Sequence, residues 1–181
     1  MSYPVFASGD VLNASDMNAV GLWLIKTQTV GNGVSSVTVT GAFSSTYDHY
    51  RIIYAGGAAS TISSIALQFG PSSVSGFNAN YNSVLLYGAY AGGAAAVLAS
   101  ANATQFVYAG EGDATTNYVV LDVLNPNNAK NTQITGVLAG QNVMGSIGGI
   151  QKNNGQYTQF TLTPGAGTLT GGTIRVYGYR N

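Results

Sequence analysis

The chain has few side chains that could carry catalysis, and the first of these is its single histidine, His49. A Ser-His-Asp triad needs an acid on one side of the imidazole and a serine on the other, and Asp48, as the immediate neighbour, would usually point elsewhere. We therefore interpret Tyr47-Asp48-His49-Tyr50-Arg51 as a turn that leads into a strand at Tyr50 to Tyr54. The count of one histidine excludes a metal site built on several histidines.

Two of the six carboxylates, Glu111 and Asp113, are spaced so that they could stand on one face of an extended segment. Glycoside hydrolysis uses a carboxylate pair at a fixed separation, and carboxylate oxygens also bind calcium. However, Gly110-Glu111-Gly112-Asp113 precedes Ala-Thr-Thr-Asn, which is typical of a polar surface turn, and the ligand series of an EF-hand is missing. The sequence predicts a protein that is not an enzyme and holds no metal or cofactor, with glycoside cleavage by this pair as an alternative.

Tyrosine is the one enriched residue type that suggests a binding function. Tyr81, Tyr87 and Tyr90 lie in a stretch rich in Asn, Ser and Gly, a mixture that binding surfaces favour because rigid amphipathic rings stand beside small hydrogen-bonding groups. Sugars are commonly held by aromatic faces, so these three residues are candidate glycan contacts. The alternative is that they line the solvent side or a subunit seam of a strand, since strands favour aromatic residues.

The elements that position these residues are predicted to be β-strands. From about Leu22 onward, apolar and polar residues alternate with a period of two, as in Tyr118 to Leu124, where Val119, Leu121 and Val123 share one face. Clusters of Gly, Asn and Pro separate such runs at short intervals and supply the backbone conformations of tight hairpins. The pattern predicts an all-β fold of about eight to ten antiparallel strands, a sandwich or jelly roll.

The segment from Gly9 to Lys26 has a different period. Asn13 and Asp16 form a capping-box-like pair, and Met17, Val20 and Trp23 form an apolar stripe. A short helix is predicted to about Val20, and Trp23-Leu24-Ile25 is predicted as the first strand. We therefore divide the chain into an N-terminal segment, residues 1–23, and a β domain, residues 24–181.

The charge of the chain limits its partners. Only 7% of the residues are charged, and the six basic and six acidic residues cancel. The balance argues against nucleic-acid binding, which requires a basic face, and it predicts burial of surface against sister subunits because little charge opposes self-association. Met1 to Asp10 show no signal-peptide pattern, and no apolar run is long enough for a membrane helix, so neither ordinary export nor membrane insertion is predicted.

Three stretches resemble small phage structural proteins of the tail-fibre and receptor-binding type. Phe6 to Ala19 is similar to a sequence pattern near the N-terminus of many phage fibre proteins, in which Gly-Asp is followed by Leu, Asp and Asn-Ala. Tyr47 to Ile52 resembles the entry to a core strand in the same group, and Gly171 to Arg180 resembles their closing strand. The resemblance implies a jelly-roll β-sandwich that assembles as a homotrimer on a virion and serves in host attachment.

The resemblance also implies a role for the N-terminal segment, which would bind another virion protein or gather the trimer. The residues expected to do so are Asp10, Leu12, Asp16, Met17, Val20 and Trp23. Host-surface glycan is the expected target. Typical fibres have a long shaft that is missing here, so a capsid decoration or head-fibre protein is the main alternative, and a polysaccharide depolymerase is the third.

Overall fold

We describe the fold from a computed structural model, for residues 8–9, 21–72 and 77–179. These ranges contain fourteen β-strands and no helix. The strands are β1 (Leu22–Thr29), β2 (Val37–Val39), β3 (His49–Ala55), β4 (Ala58–Ala59), β5 (Ser63–Ser72), β6 (Tyr81–Ala89), β7 (Ala96–Ala103), β8 (Phe106–Gly112), β9 (Asn117–Leu124), β10 (Thr132–Ala139), β11 (Val143–Gln151), β12 (Tyr157–Pro164), β13 (Leu169–Thr170) and β14 (Thr173–Tyr179).

The strands form two antiparallel sheets that share one strand. The large sheet has the order β1-β14-β3-β9-β10-β11-β6-β7, and the small sheet has the order β2-β12-β5-β8. β9 joins them, because its first residues pair with β8 and its later residues pair with β3 and β10. The short strands β4 and β13 pair separately. The predicted all-β, antiparallel, sandwich-like fold is thus confirmed.

The core lies between the sheets and is rich in aromatic rings. In β9, buried and partly exposed residues alternate strictly, with Val119, Leu121 and Val123 inside as predicted. Phe69 is central, since its ring centroid lies 5.1 Å from that of Tyr157 and 5.8 Å from those of Phe43 and Phe106. Such edge and stacked contacts add to the burial of area, so the aromatic residues of the chain do much of the packing.

The number of strands exceeds the prediction because the chain carries additional pairs. The hairpins β6-β7 and β10-β11 extend the large sheet beyond β9, and β11 pairs with β6 over nine residues. We call this four-stranded part the added sheet. The predicted loop at Ala89 to Ala96 is confirmed as the connection that joins β6 to β7.

The predicted N-terminal helix, from its cap at Asn13 to about Val20, lies outside the described ranges. The predicted first strand is present, and β1 begins at Leu22, two residues before the proposed boundary at Leu24. No helix within residues 8–9, 21–72 and 77–179 is long and apolar enough to cross a membrane.

Candidate functional site

His49 lies on the outer face of the large sheet in a charged and aromatic cluster. Its ring stacks on Tyr179 with a centroid distance of 4.0 Å, and its Nε2 lies 3.4 Å from Oδ1 of Asp122. Asp48, the sequence neighbour, instead accepts a hydrogen bond from Asn128, in agreement with the expectation that it points elsewhere. The acid next to His49 is therefore Asp122, which comes from β9.

Asp122 also forms a bidentate pair with Arg51, whose Nε and Nη2 donate to its two oxygens at 3.0 and 2.8 Å. These hydrogen bonds raise the pKa of the Arg51 guanidinium. Burial, followed by the charge of Asp122, raises the pKa of the Tyr179 phenol. The Asp122 carboxylate on β9 thus contacts three neighbouring side chains, which are His49 and Arg51 on β3 and Tyr179 on β14.

Glu111 and Asp113 have separate hydrogen-bond partners. Oδ1 of Asp113 accepts hydrogen bonds from the backbone N–H and hydroxyl of Thr115 at 2.6 Å and from the N–H of Thr116 at 3.1 Å. These bonds, with the hydroxyl of Thr115 foremost, lower the pKa of Asp113. Oε1 of Glu111 accepts the backbone N–H of Gln141 at 3.0 Å. Asp113 therefore stabilises its own turn, which agrees with the predicted polar turn.

The three candidate tyrosines have different surroundings. Tyr81 is completely buried, and its hydroxyl accepts the backbone N–H of Phe69 at 2.9 Å. The prediction that Tyr81 contacts a glycan is therefore wrong, because its ring presents no surface to a ligand. Tyr87 is half-buried in β6, and Tyr90 is 58% exposed in the turn that follows.

Tyr87 and Glu111 line the same groove between the added sheet and the small sheet. The groove has a volume of about 310 Å³, and its lining includes Ser63, Ser64, Tyr87, Tyr108, Glu111 and Val143. The other side chains of its wall, among them Leu85 and Leu98, are apolar. We call it the tyrosine groove. Its volume lies at the lower end of the range for small-ligand sites of about 300–1,000 Å³. The structure therefore brings together one candidate glycan contact and one candidate acid.

Gly140 makes room for the carboxylate of Glu111. A Cβ atom placed on Gly140 would lie within 2.0 Å of Oε1 and 2.3 Å of Cδ of Glu111. Because Gly140 directly precedes Gln141, the same turn both accommodates the carboxylate and donates a hydrogen bond to it. The turn between β10 and β11 thus fixes the position of Glu111 at the groove.

Tyr108 is a groove residue that the sequence reasoning missed. It lies in β8, the strand that also carries Glu111, and it is half-buried. The signal available in the sequence was its spacing of three residues from Glu111. That spacing alone does not bring two side chains to one face of a regular strand, since residues on the same face are two positions apart.

The outer face of the added sheet is apolar. The four strands contain no charged residue, and the apolar side chains that stand exposed on this face are Val84, Leu86, Val97, Val137 and Met144. Leu86 and Val97 are directly opposite each other in the β6-β7 pair. We call this surface the apolar face. Exposed apolar patches of this kind often mark interaction sites.

Of the proposed attachment residues, only Trp23 falls within the described ranges. It lies in β1 opposite Gly178 and is half-buried, and its Nε1 is enclosed without a hydrogen-bond partner. Asp10, Leu12, Asp16, Met17 and Val20 lie outside the described residues. Within the described ranges, no group of three or more acidic or histidine side chains is placed to hold a metal ion.

Comparison with known proteins adds no family to this picture. No protein-family model matches the chain, and no curated protein matches it significantly.

Proposed function

We propose that this protein is a non-enzymatic structural protein of a bacteriophage virion. In this proposal it is a homotrimeric tail fibre or receptor-binding protein that attaches the particle to the host surface. It would assemble in the host cytoplasm and act on the virion, with no cofactor. The tyrosine- and glycine-rich loops would face host glycan, and residues 1–23 would bind a neighbouring virion protein.

We infer that the sandwich is a jelly roll. Without the added sheet and the short β4 and β13, eight strands remain, and in chain order the first pairs with the eighth, the second with the seventh, the third with the sixth and the fourth with the fifth. This is the pairing of one long hairpin folded over into two sheets. Viral capsid and lectin domains use jelly rolls, which favours the proposal without assigning a function by itself.

The observation that carries the proposal is the position of the second and third of the resembling stretches. β14 belongs to the third stretch and pairs with β3. The first four residues of β3, His49 to Ile52, belong to the second stretch. On its other side β14 pairs with β1, which begins three residues after the end of the first stretch. The second and third stretches, which are more than 100 residues apart in sequence, thus meet at one end of the large sheet, as expected if they form one structural unit shared with phage fibre proteins.

The apolar face supports the proposed homotrimer. Its side chains would be covered by sister subunits, because burying exposed apolar surface favours association by about 25 cal/mol for each Å² removed from water. We expect the double change Leu86→Lys and Val97→Lys to convert the trimer to monomers, since two buried, unpaired ammonium groups per subunit are strongly unfavourable. Sedimentation velocity measures the result.

The matched control is Ile62→Lys, because Ile62 is 52% exposed and Leu86 51%, yet Ile62 lies outside the apolar face. This control is expected to remain trimeric. A wild-type protein that sediments as a monomer at micromolar concentration would contradict the proposed assembly, and an unchanged trimer in the double variant would place the interface elsewhere.

Attachment is tested by removing the gene from the phage that carries it. We expect intact particles that no longer adsorb to the host. Fragile particles with normal adsorption would instead support the capsid decoration alternative, which the missing shaft favours.

The role of the N-terminal segment has a separate test. Deletion of Met1 to Asn18 is expected to leave the β domain folded, with the circular dichroism of an all-β protein, but absent from purified particles. Normal incorporation of the truncated protein would rule out this segment as the attachment element.

A further inference from the structure

We propose that the tyrosine groove binds an organic ammonium cation, a positively charged nitrogen that carries alkyl groups, with choline as the simplest example. The proposal goes beyond host attachment in general, because it assigns a ligand charge and a ligand shape to one place in the fold. Glu111 would supply the opposite charge, and Tyr87 and Tyr108 would supply aromatic surface.

The first argument is charge complementarity. Glu111 is the acidic residue of the groove, and its Oε1 accepts a hydrogen bond from the backbone N–H of Gln141. Among residues 8–9, 21–72 and 77–179, the only ion pairs are those of His49 and Arg51 with Asp122. The Glu111 carboxylate is therefore left without a cationic partner in the described part of the chain, and a cationic ligand would provide one.

The second argument is the pair of tyrosine rings. A cation over an aromatic ring is attracted by the negative charge of the ring face, and the attraction grows when the site is shielded from water. Tyr87 and Tyr108 come from β6 and β8 and border the same groove. Aromatic side chains together with one carboxylate are a combination that suits alkylated ammonium groups.

The third argument is that most of the remaining wall is apolar. Leu85, Leu98 and Val143 can contact methyl or methylene groups but offer no hydrogen bond. Besides Glu111 and the two tyrosines, the side chains of the wall that can form hydrogen bonds are Ser63 and Ser64, and Ser63 already donates to the carbonyl of Ala166. A neutral sugar carries several hydroxyl groups, and each one that loses water without a new partner reduces affinity. The wall therefore favours an alkylated cation over a sugar as the occupant of this groove.

The test uses the purified full-length chain and three small probes in two-dimensional NMR titrations. The probes are choline, its neutral carbon isostere 3,3-dimethylbutan-1-ol, and methyl glucoside as the glycan alternative. The amide of Gln141 is the reporter, because it donates to Glu111. We expect choline to shift this amide and to bind at least about tenfold more tightly than the isostere, since the isostere loses the charge interaction.

Two variants locate the site. Glu111→Gln keeps the shape of the side chain and removes its charge, and Gly140→Ala keeps the charge but forces the carboxylate away from the turn. Both are expected to weaken choline binding by about tenfold. Asp48→Asn, which removes an exposed carboxylate outside the groove, is the control, and it is expected to bind choline as the wild type does.

The comparison of choline with its isostere needs no variant, so it stands even if a variant folds poorly. Equal affinity for choline and the isostere, tighter binding of methyl glucoside, or no binding of choline would overturn the proposal. Host attachment is measured on particles and choline binding on the purified protein, so the two proposals fail separately.

Discussion

Raising the pH from about 10 to about 12 is expected to unfold the protein, because its buried tyrosines resist ionisation. Burial raises the pKa of Tyr157 to about 12, and it also raises the pKa values of Tyr50, Tyr54 and Tyr81 above the ordinary value. In the unfolded chain these phenols ionise near pH 10. The unfolded state therefore loses protons first, and the stability that is fully present below pH 10 is lost as the pH rises toward the pKa values of the folded state.

The size of the effect follows from the number of such groups. Each tyrosine that stays protonated in the folded state lowers the free energy of unfolding by up to about 1.4 kcal/mol per pH unit. Tyr81 and Tyr157, whose pKa values are raised most, together reach about 3 kcal/mol per pH unit. Between pH 10 and pH 12 this amounts to about 5 kcal/mol, which is comparable with a total stability of about 5–15 kcal/mol. Circular dichroism and tyrosinate absorbance, recorded together during an alkaline titration, measure the unfolding and the ionisation.

We expect the ionisation of the buried phenols and the loss of β-structure to occur in the same step. Tyr90→Phe is the control, and it is expected to leave the midpoint unchanged because Tyr90 is largely exposed. Ionisation of Tyr157 at pH 10 with intact β-structure would contradict the explanation.

The second large effect is expected from Gly57→Ala. Gly57 lies beside a polar junction in which Asn117 Nδ2 donates to the hydroxyl of Tyr54 at 2.8 Å, and this hydroxyl donates to the carbonyl of Gly171 at 2.9 Å. A Cβ on Gly57 would lie 2.4 Å from that carbonyl oxygen and 2.6 Å from the tyrosine oxygen. Because the backbone is one of the atoms in the way, relief requires that the junction open.

We expect Gly57→Ala to lower the free energy of unfolding by about 3 kcal/mol, from overpacking and the lost hydrogen bonds. The control is Gly88→Ala in β6, where a Cβ meets no atom within 4 Å and alanine is favoured over glycine by about 0.5–1 kcal/mol. Urea unfolding of both variants measures the difference. Equal free energies of unfolding for the two variants would contradict the prediction, because they would show that the polar junction accommodates the added methyl group without loss of stability.

The strands and their buried faces were predictable because they depend on local alternation. Val119, Leu121 and Val123 had to share a face whatever the topology, and Asn125 adopts the positive φ of 57° that its turn requires. The two additional hairpins were harder to recognise, since β6 and β10 have the same alternation as strands of the sandwich. Nothing local indicates which sheet a strand joins.

The site was less predictable because its residues meet only through pairing between distant strands. Asp122 reaches Arg51 across 71 positions of sequence, and no local pattern selects it over Asp48. Tyrosine is amphipathic and suits either face of a strand, so the sequence did not show that Tyr81 lies in the core while Tyr87, six residues later in β6, borders a groove.

The place of β14 has a consequence for synthesis of the protein. β14 lies between β1 and β3 and pairs with both, although it is the last of the described strands to leave the ribosome. Until then β1 and β3 have no neighbour on those edges, and exposed edges readily pair with other chains. Nascent chains on one messenger are therefore most prone to joining one another in the interval before β14 emerges, and slow elongation between β3 and β14 would lower the yield of correctly folded protein.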